Sequence, residues 1–505
     1  MTGFVTFALA PAGYRDCAIA IAACRAGAVG IVNGELNPDR SALARELDEV
    51  SRRAKGPYGI KLDAMDAALE GALRAHAAAG LRWVVLDCAL VAAVPGLVSD
   101  LRGQGVRVLG EVTTPDWPGQ PLDGVLDGLW IKGNESGGFV GEEASFILIQ
   151  KWLKRTHLPL YVRGGVTPHS AAACAAIGIA GGVLDSQLLL FDDLGLFETL
   201  NPLLRSLSGS ETVAVGDGER GEYFRVLVRP GNPAAREFVA AGESECAEGL
   251  RPLLAGRTDW TRPTRSLLPI GQDVAFAADW RVRYGSLHAL VAAIDDAVAD
   301  HLRAAVACHP IRENGPLAQA LGIRVPVVQG PMTRVSDTAE FALSVADGGA
   351  LPMVALALMK EAALDSLLAR TAELLEDRPW GIGLLGFAPQ SLLDEQVAVA
   401  LKYKPDYAII AGGRPDQAVR LDQAGIPSFL HVPSARLIPM FMQEGARRFI
   451  FEGRECGGHI GPLSSFVLWS AMVDALLAEL SGGKYEPSEL QLLFAGGIHD
   501  AVSSA

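Results

Sequence analysis

The residues with the most to offer chemically stand together at 452–461, EGRECGGHIG, where one histidine is set in a run of glycines. Imidazole exchanges protons near neutral pH. A glycine-rich loop at a strand end offers no apolar face to bury it, so His459 reads as an acid/base group rather than a packed core histidine. The segment 329–332, QGPM, follows an expected strand at Val325–Val328. There Gly330 lets backbone approach a flat ligand, and Pro331 and Met332 form a rigid apolar wall, although a strand-terminating turn alone would also explain the motif. At 495–498, AGGI, the pair Gly496 and Gly497 stands between an expected strand and helix, the arrangement that points backbone N–H groups at a phosphate and that elsewhere serves packing alone. Ala411–Arg414 fits a ligand loop or a tight turn equally. The run 381–386 spells GxGxxG, but Pro389 follows closely and no βαβ unit surrounds it, so a dinucleotide-binding turn is rejected. His431 and His499 have no partner at metal-ligand spacing and read as structural or substrate-facing; no metal site is expected.

A (β/α)₈ barrel collects the loops after its strands on one face, and the chain has the rhythm such a barrel needs. Short β-branched runs alternate with amphipathic stretches through the first 190 residues, giving eight expected strands: Phe4–Leu9, Gly30–Val32, Tyr58–Leu62, Arg82–Asp87, Arg107–Val112, Gly128–Lys132, Leu158–Val162 and Gly181–Leu184. From 206 to 320 the rhythm changes to a strand-like Tyr223–Pro230 and a long helical pattern at Leu287–Val306, which reads as a connector or cap. At Leu321 the β/α rhythm restarts.

The two halves match internally. IKGNESGGFVG at 131–141 lies against FEGRECGGHIG at 451–461, offset by 320, and the match continues with Ser145 and Phe146 against Ser465 and Phe466. VRGGV at 162–166 lies against FAGGI at 494–498. The expected fold is therefore α/β, two tandem TIM-barrel-like (β/α)₈ domains. Residues 1–205 form a degenerate barrel, 206–320 a connector or cap, and 321–505 a second barrel that stops before its last strand and helix. That stop suggests a chain interrupted inside its second barrel.

The chain of 505 residues carries 44 Lys+Arg against 58 Asp+Glu, a net charge of −14. With no dense basic block it lacks the footprint for phosphate backbones or anionic lipid, so neither nucleic acid nor membrane is an expected partner. No secretory signal or spanning segment is read. Seven cysteines without CxxC spacing suit a reduced, cytoplasmic setting.

The order QGPM, GIGLLGF, EGRECGGHIG, FAGGI resembles the nitronate monooxygenase (2-nitropropane dioxygenase) family of FMN-dependent TIM barrels, which includes FMN-dependent enoyl-ACP reductases. The form with a degenerate barrel in front resembles domains at the start of polyketide and polyunsaturated fatty acid synthases. The resemblance implies that Gly330, Pro331 and Met332 lie against the flavin, with Gly383, Gly457 and Gly458 also at the cofactor. It implies that Gly496 and Gly497 bind the FMN phosphate and that His459 is the acid/base. Gly383 stands where the family commonly has Asn, and the Gly-Thr that usually completes the phosphate site would fall beyond Ala505. In the first copy Phe139 takes the histidine position and Asp185 and Ser186 the Gly-Thr position, so no flavin chemistry is expected there. Implied substrates are a nitronate or an enoyl thioester, the latter with NAD(P)H as electron donor and an acyl carrier protein as partner. A non-catalytic docking or dimerisation platform is the alternative from another class, and a homo-oligomer stays open.

Overall fold

The computed structural model describes residues 3–37, 39–116, 124–458 and 460–504. The chain divides into two compact units, between Arg303 and Ala304.

In the first unit, β1 (Val5–Leu9), β2 (Val29–Asn33), β3 (Tyr58–Leu62), β4 (Leu81–Asp87), β5 (Arg107–Val112) and β6 (Gly128–Lys132) run in parallel. After the short β7 (Gly138–Val140), β8 (Leu160–Arg163) and β9 (Gly181–Leu184) close the barrel against β1. All eight expected strands are present, each end within two residues of its expected bound. Alternate residues point inward, and Phe7, Leu9, Val29, Ile31, Trp83, Val85, Leu109, Trp130, Tyr161 and Val183 fill the interior. Phe7 meets Trp83, Trp130 and Tyr161 edge to face at 5.0, 5.2 and 5.2 Å, so the barrel's waist is packed rather than hollow. Side-chain caps start the crossover helices: Asp39 accepts from the Ala42 N–H, and Asp66 from that of Leu69.

Residues 206–303 belong to this unit. The expected strand at Tyr223 is β11 (Glu222–Leu227), which pairs antiparallel with β10 (Thr212–Asp217) and with β7. Phe224, Val226, Phe238, Leu250, Leu254 and Leu267 form a separate core beneath this sheet.

The second unit holds a six-stranded parallel sheet in sequence order: β12 (Met353–Ala355), β13 (Gly381–Leu385), β14 (Tyr407–Ala411), β15 (Ser428–His431), β16 (Arg448–Glu452) and β17 (Gln491–Ala495). It is a partial barrel whose last strand, β17, has no outer partner among the described residues. The expected strand at Val325–Val328 does not form. Only one parallel bridge, Val328 to Leu351, remains of it, because Pro326 has no N–H to donate and, among the described residues, no strand pairs its far side. The GxGxxG run is no dinucleotide-binding turn, since Gly381 and Gly383 lie inside β13 and not after it; a βαβ unit does surround it, however, because β13, the helix Gln390–Tyr403 and the parallel β14 follow one another. Leu351, Met353, Ile409, Phe429 and Ile450 face the interior. Among the described residues no helix is long and apolar enough to cross a membrane.

Candidate active site

The repeat read from sequence is reproduced in hydrogen bonds at the two glycine loops. In the second unit the Ser465 N–H donates to the Glu455 carboxylate at 3.1 and 2.9 Å. The Ser465 hydroxyl meets Glu455 Oε2 at 2.7 Å and donates to the Gly496 carbonyl at 3.1 Å. The Gly453 N–H reaches the Ala495 carbonyl at 2.9 Å. In the first unit Glu135, Ser145 and Gly164 stand in the same relation: Ser145 N–H to Glu135 at 3.2 Å, Ser145 Oγ to the Gly164 carbonyl at 3.0 Å, Gly133 N–H to the Arg163 carbonyl at 2.9 Å. Glu455 and Ser465 thus tie the EGRECGGHIG loop to the AGGI turn. Sequence reading missed that role, although the Ser145/Ser465 match was its signal.

The candidate residues fall into two groups. Pro331 packs directly against Gly383: a Cβ built at Gly383 would lie 2.2 Å from Pro331 Cβ, so the glycine is what admits the QGPM loop. Gly330 has open space where a side chain would be, and Met332 is 44% exposed. Gly457 and Gly458 are likewise open, with Gly458 at φ +95°. Gly496 and Gly497 adopt φ +124° and +76°, a left-handed turn that glycine alone takes without strain. The Pro331–Gly383 pair and the Gly496–Gly497 turn stand towards opposite ends of the six-stranded sheet. His459 lies outside the described residues. Ala411–Arg414 is a tight turn: Gly412 has φ +60°, and Arg414 pairs with Asp416 at 2.9 Å. His499 is a turn residue, its Nδ1 3.3 Å from the Gly497 carbonyl.

What the two barrels carry at the C-terminal mouth sets them apart. In the first, Glu35, Glu111 and Asp185 face Lys61, Lys132 and Arg163, all essentially inaccessible. Lys61 meets Glu35 at 3.1 Å and Glu111 at 3.0 Å; Lys132 meets Glu35 at 3.0 Å. Arg163 meets Glu35 at 3.4 Å, Glu111 at 3.1 Å and Asp185 at 3.0 Å. Burial works to raise the Glu35 pKa, but Lys132, Lys61 and Arg163 outweigh it and hold the carboxyl well below its usual range. Three cations against three carboxylates leave a neutral, filled mouth.

Further residues seal it. The Gly165 N–H, whose counterpart is Gly497, donates at 2.8 Å to Asp273, a fully buried carboxyl. Burial, then Asp185 and Glu135, push the Asp273 pKa well above its ordinary value. Phe139, at the position matching His459, is a β7 residue paired with Phe224 in the antiparallel sheet, their rings 5.4 Å apart.

Strand register identifies the second unit's equivalents. Glu111 is level with Trp130, and His431 with Ile450, at the same offset of 320. Lys132 is level with Arg163, as Glu452 is with Ala495. Lys61 is level with Val85, which is level with Leu109; Gly383 is level with Ile409, which is level with Phe429. Where the first mouth carries Lys61, Glu111, Lys132 and Arg163, the second carries Gly383, His431, Glu452 and Ala495. All three cations are gone, and one polar pair remains, His431 Nδ1 lying 2.9 Å from Glu452 Oε2. Near them burial, then Glu452, push the Cys456 thiol up to about 12, so it stays protonated and is no nucleophile at neutral pH.

No family model matches the chain. Two curated proteins do, each named (3aS,4S,5R,7aS)-5-hydroxy-7a-methyl-1-oxo-octahydro-1H-indene-4-carboxyl-CoA dehydrogenase. That of Rhodococcus jostii is 27% identical over 191 residues, 36% of this chain and 48% of the relative. That of Mycobacterium tuberculosis is 29% identical over 196 residues, 38% and 50% respectively. The chain thus spans about half the length of the curated relatives it matches. Among solved structures, FabK from Thermotoga maritima is similar at TM-score 0.46 and 17% identity, over 59% of this chain and 94% of that one. Nitroalkane oxidase from Streptomyces ansochromogenes is similar at TM-score 0.42 and 17% identity, over 60% and 98%.

Proposed function

We propose that the second unit is an FMN-dependent oxidoreductase resembling nitronate monooxygenase, with His459 as its acid/base, and that the first unit is a flavin-free scaffold. The observation that carries this reading is the contrast between the mouths: where the first barrel buries the charged Lys61 and Arg163, the second has Gly383, covered by Pro331, and Ala495, so no buried cation stands there. The open backbone at Gly330, Gly457 and Gly458 suits a flat group that tolerates no side chain beneath it. Pro331 and Met332 would hold one apolar face of FMN, and Gly496 and Gly497 would meet its phosphate.

Bound FMN would supply the two-electron chemistry that side chains lack. The chain's own task is to hold a substrate carbon beside the cofactor, exclude water, and move one proton. His459, in the loop fixed by Glu455 and Ser465, exchanges that proton at the carbon next to the electron-withdrawing group. A nitronate presents that carbon already deprotonated, its conjugate acid being the nitroalkane, whose C–H stands beside the nitro group. An enoyl thioester presents it beside a carbonyl, with NAD(P)H supplying electrons and an acyl carrier protein as the substrate's carrier. The names of the curated relatives, carboxyl-CoA dehydrogenases, support the thioester reading.

The visible spectrum of the purified chain supplemented with FMN tests the cofactor, since bound flavin has a visible band shifted from that of free flavin. Oxygen uptake with propionate 3-nitronate against NAD(P)H consumption with a crotonyl thioester separates the substrates. His459→Ala should keep the flavin and lose turnover by about 10²- to 10⁴-fold. Unchanged turnover in that variant refutes the role of His459.

A further inference from the structure

We propose that His431, held by Glu452, is a second proton-accepting residue of the same mouth, acting on the acidic C–H of a substrate whose carbanion is stabilised by a nitro or thioester group. The inference rests on the proposed site of the second unit, but on residues that the resemblance does not single out. His431 ends β15 and Glu452 ends β16, neighbouring parallel strands. Inward-facing positions alternate along a strand. Since Phe429 and Ile450 face the interior, His431 and Glu452, two residues farther along each strand, face the same way at the C-terminal mouth. Their side chains are 16% and 17% exposed, enclosed yet reachable.

The pairing decides which nitrogen is offered. Nδ1 lies 2.9 Å from Glu452 Oε2, and a lone pair facing a carboxylate would be repelled, so in the neutral ring the proton sits on Nδ1 and the lone pair on Nε2. The contact is close enough for an ion pair but is not aligned as a hydrogen bond. In the first barrel the same two positions carry Glu111 and Lys132, both saturated by buried partners. The second barrel has lost Lys61 and Arg163 at the equivalents Gly383 and Ala495. Pro331 covers Gly383, and neither Gly383 nor Ala495 offers a charge, so His431 is not saturated from these positions as Glu111 is.

The step is redox-neutral: the substrate C–H bond breaks, an Nε2–H bond forms, and the electron pair stays on carbon, delocalised onto nitro or carbonyl oxygen. It is therefore visible without cofactor turnover, as exchange of α-hydrogen for deuterium. The test follows nitroethane and S-butyryl-N-acetylcysteamine in D₂O by proton NMR with the full chain. Wild type should accelerate exchange of at least one probe over buffer. His431→Gln should lose at least tenfold of that, Glu452→Ala should lose several-fold, and Glu452→Gln, which still accepts from Nδ1–H, should recover most of it. Thermal melts establish that each variant is folded, and a variant that fails to fold is replaced by His431→Asn.

Exchange that is unaffected in folded His431 variants and abolished in His459→Ala overturns the proposal while leaving the proposed function standing. No acceleration by wild type also overturns it. Absence of flavin binding in the separate spectral titration removes the oxidoreductase reading but not the exchange result.

Discussion

Replacing Arg163 by Met removes one cation from the closed mouth of the first barrel while keeping much of the side chain's volume. Wild type balances Glu35, Glu111 and Asp185 with Lys61, Lys132 and Arg163. The variant leaves three carboxylates facing two lysines, with Asp185 losing its 3.0 Å partner and Glu111 its 3.1 Å partner. Removing one member of a buried ion network costs about 3–5 kcal/mol, because the partner charge stays buried and uncompensated. With a urea dependence of about 3 kcal/mol/M, the midpoint of the first unit should fall by roughly 1–1.7 M at pH 7.

The pH dependence has a fixed sign. Glu35 and Glu111 have folded pKa values held below the ordinary 4.5, so their contribution is present above that value and is lost as the pH falls through the folded ones. Without Arg163 the excess carboxylate can be relieved by protonation, so the variant's deficit should shrink between pH 7 and pH 5. Arg163→Met/Asp185→Asn, which restores two against two, should recover at least half of the loss. Urea unfolding followed by tryptophan emission reads this well, since Trp83 and Trp130 line the barrel interior. A midpoint within about 0.2 M of wild type, or a deficit that grows on acidification, refutes the network as the mouth's structural element.

Other outcomes follow from the same geometry. Gly383→Val should push the QGPM loop off β13, since even a Cβ would meet Pro331 at 2.2 Å; overpacking of about 1–3 kcal/mol would weaken FMN roughly 5- to 150-fold in a spectral titration, with secondary structure retained by circular dichroism. Asp273 has a folded pKa raised above 3.8, so its contribution is full below that value and lost as the pH rises through the folded one. Asp273→Asn should therefore gain on wild type as the pH rises, whereas Asp273→Ala should lose about 1 kcal/mol with its Gly165 hydrogen bond, both read from thermal midpoints across pH. Flavin extracted from the saturated chain should amount to one per polypeptide, and two would contradict a closed first mouth.

The eight strands of the first barrel were legible because a buried parallel strand writes itself locally, as a β-branched run bounded by turn residues. The duplication was legible because loop motifs repeat as strings. Val325–Val328 misled for a local reason as well: its composition suits a strand, but a strand exists only where neighbours accept its hydrogen bonds, and Pro326 withholds one. Glu455 and Ser465 were visible as matched letters, yet their function appears only when Ser465 bridges to Gly496 across the strand ends.

From the sequence alone come the α/β class, the two copies, and the glycine-rich loops at the strand ends. Only the tertiary structure decided which copy closes its mouth with buried ion pairs. Arg163 finds Glu35 at a separation of 128 residues, and Asp273 reaches Gly165 across 108. Such pairings leave no trace in periodicity, because nothing local fixes which buried charge will meet which partner. Closure of the barrel brings the six charges of the first mouth together, and the same register, applied to the second unit, puts the uncharged Gly383 and Ala495 on strands to either side of His431 and Glu452.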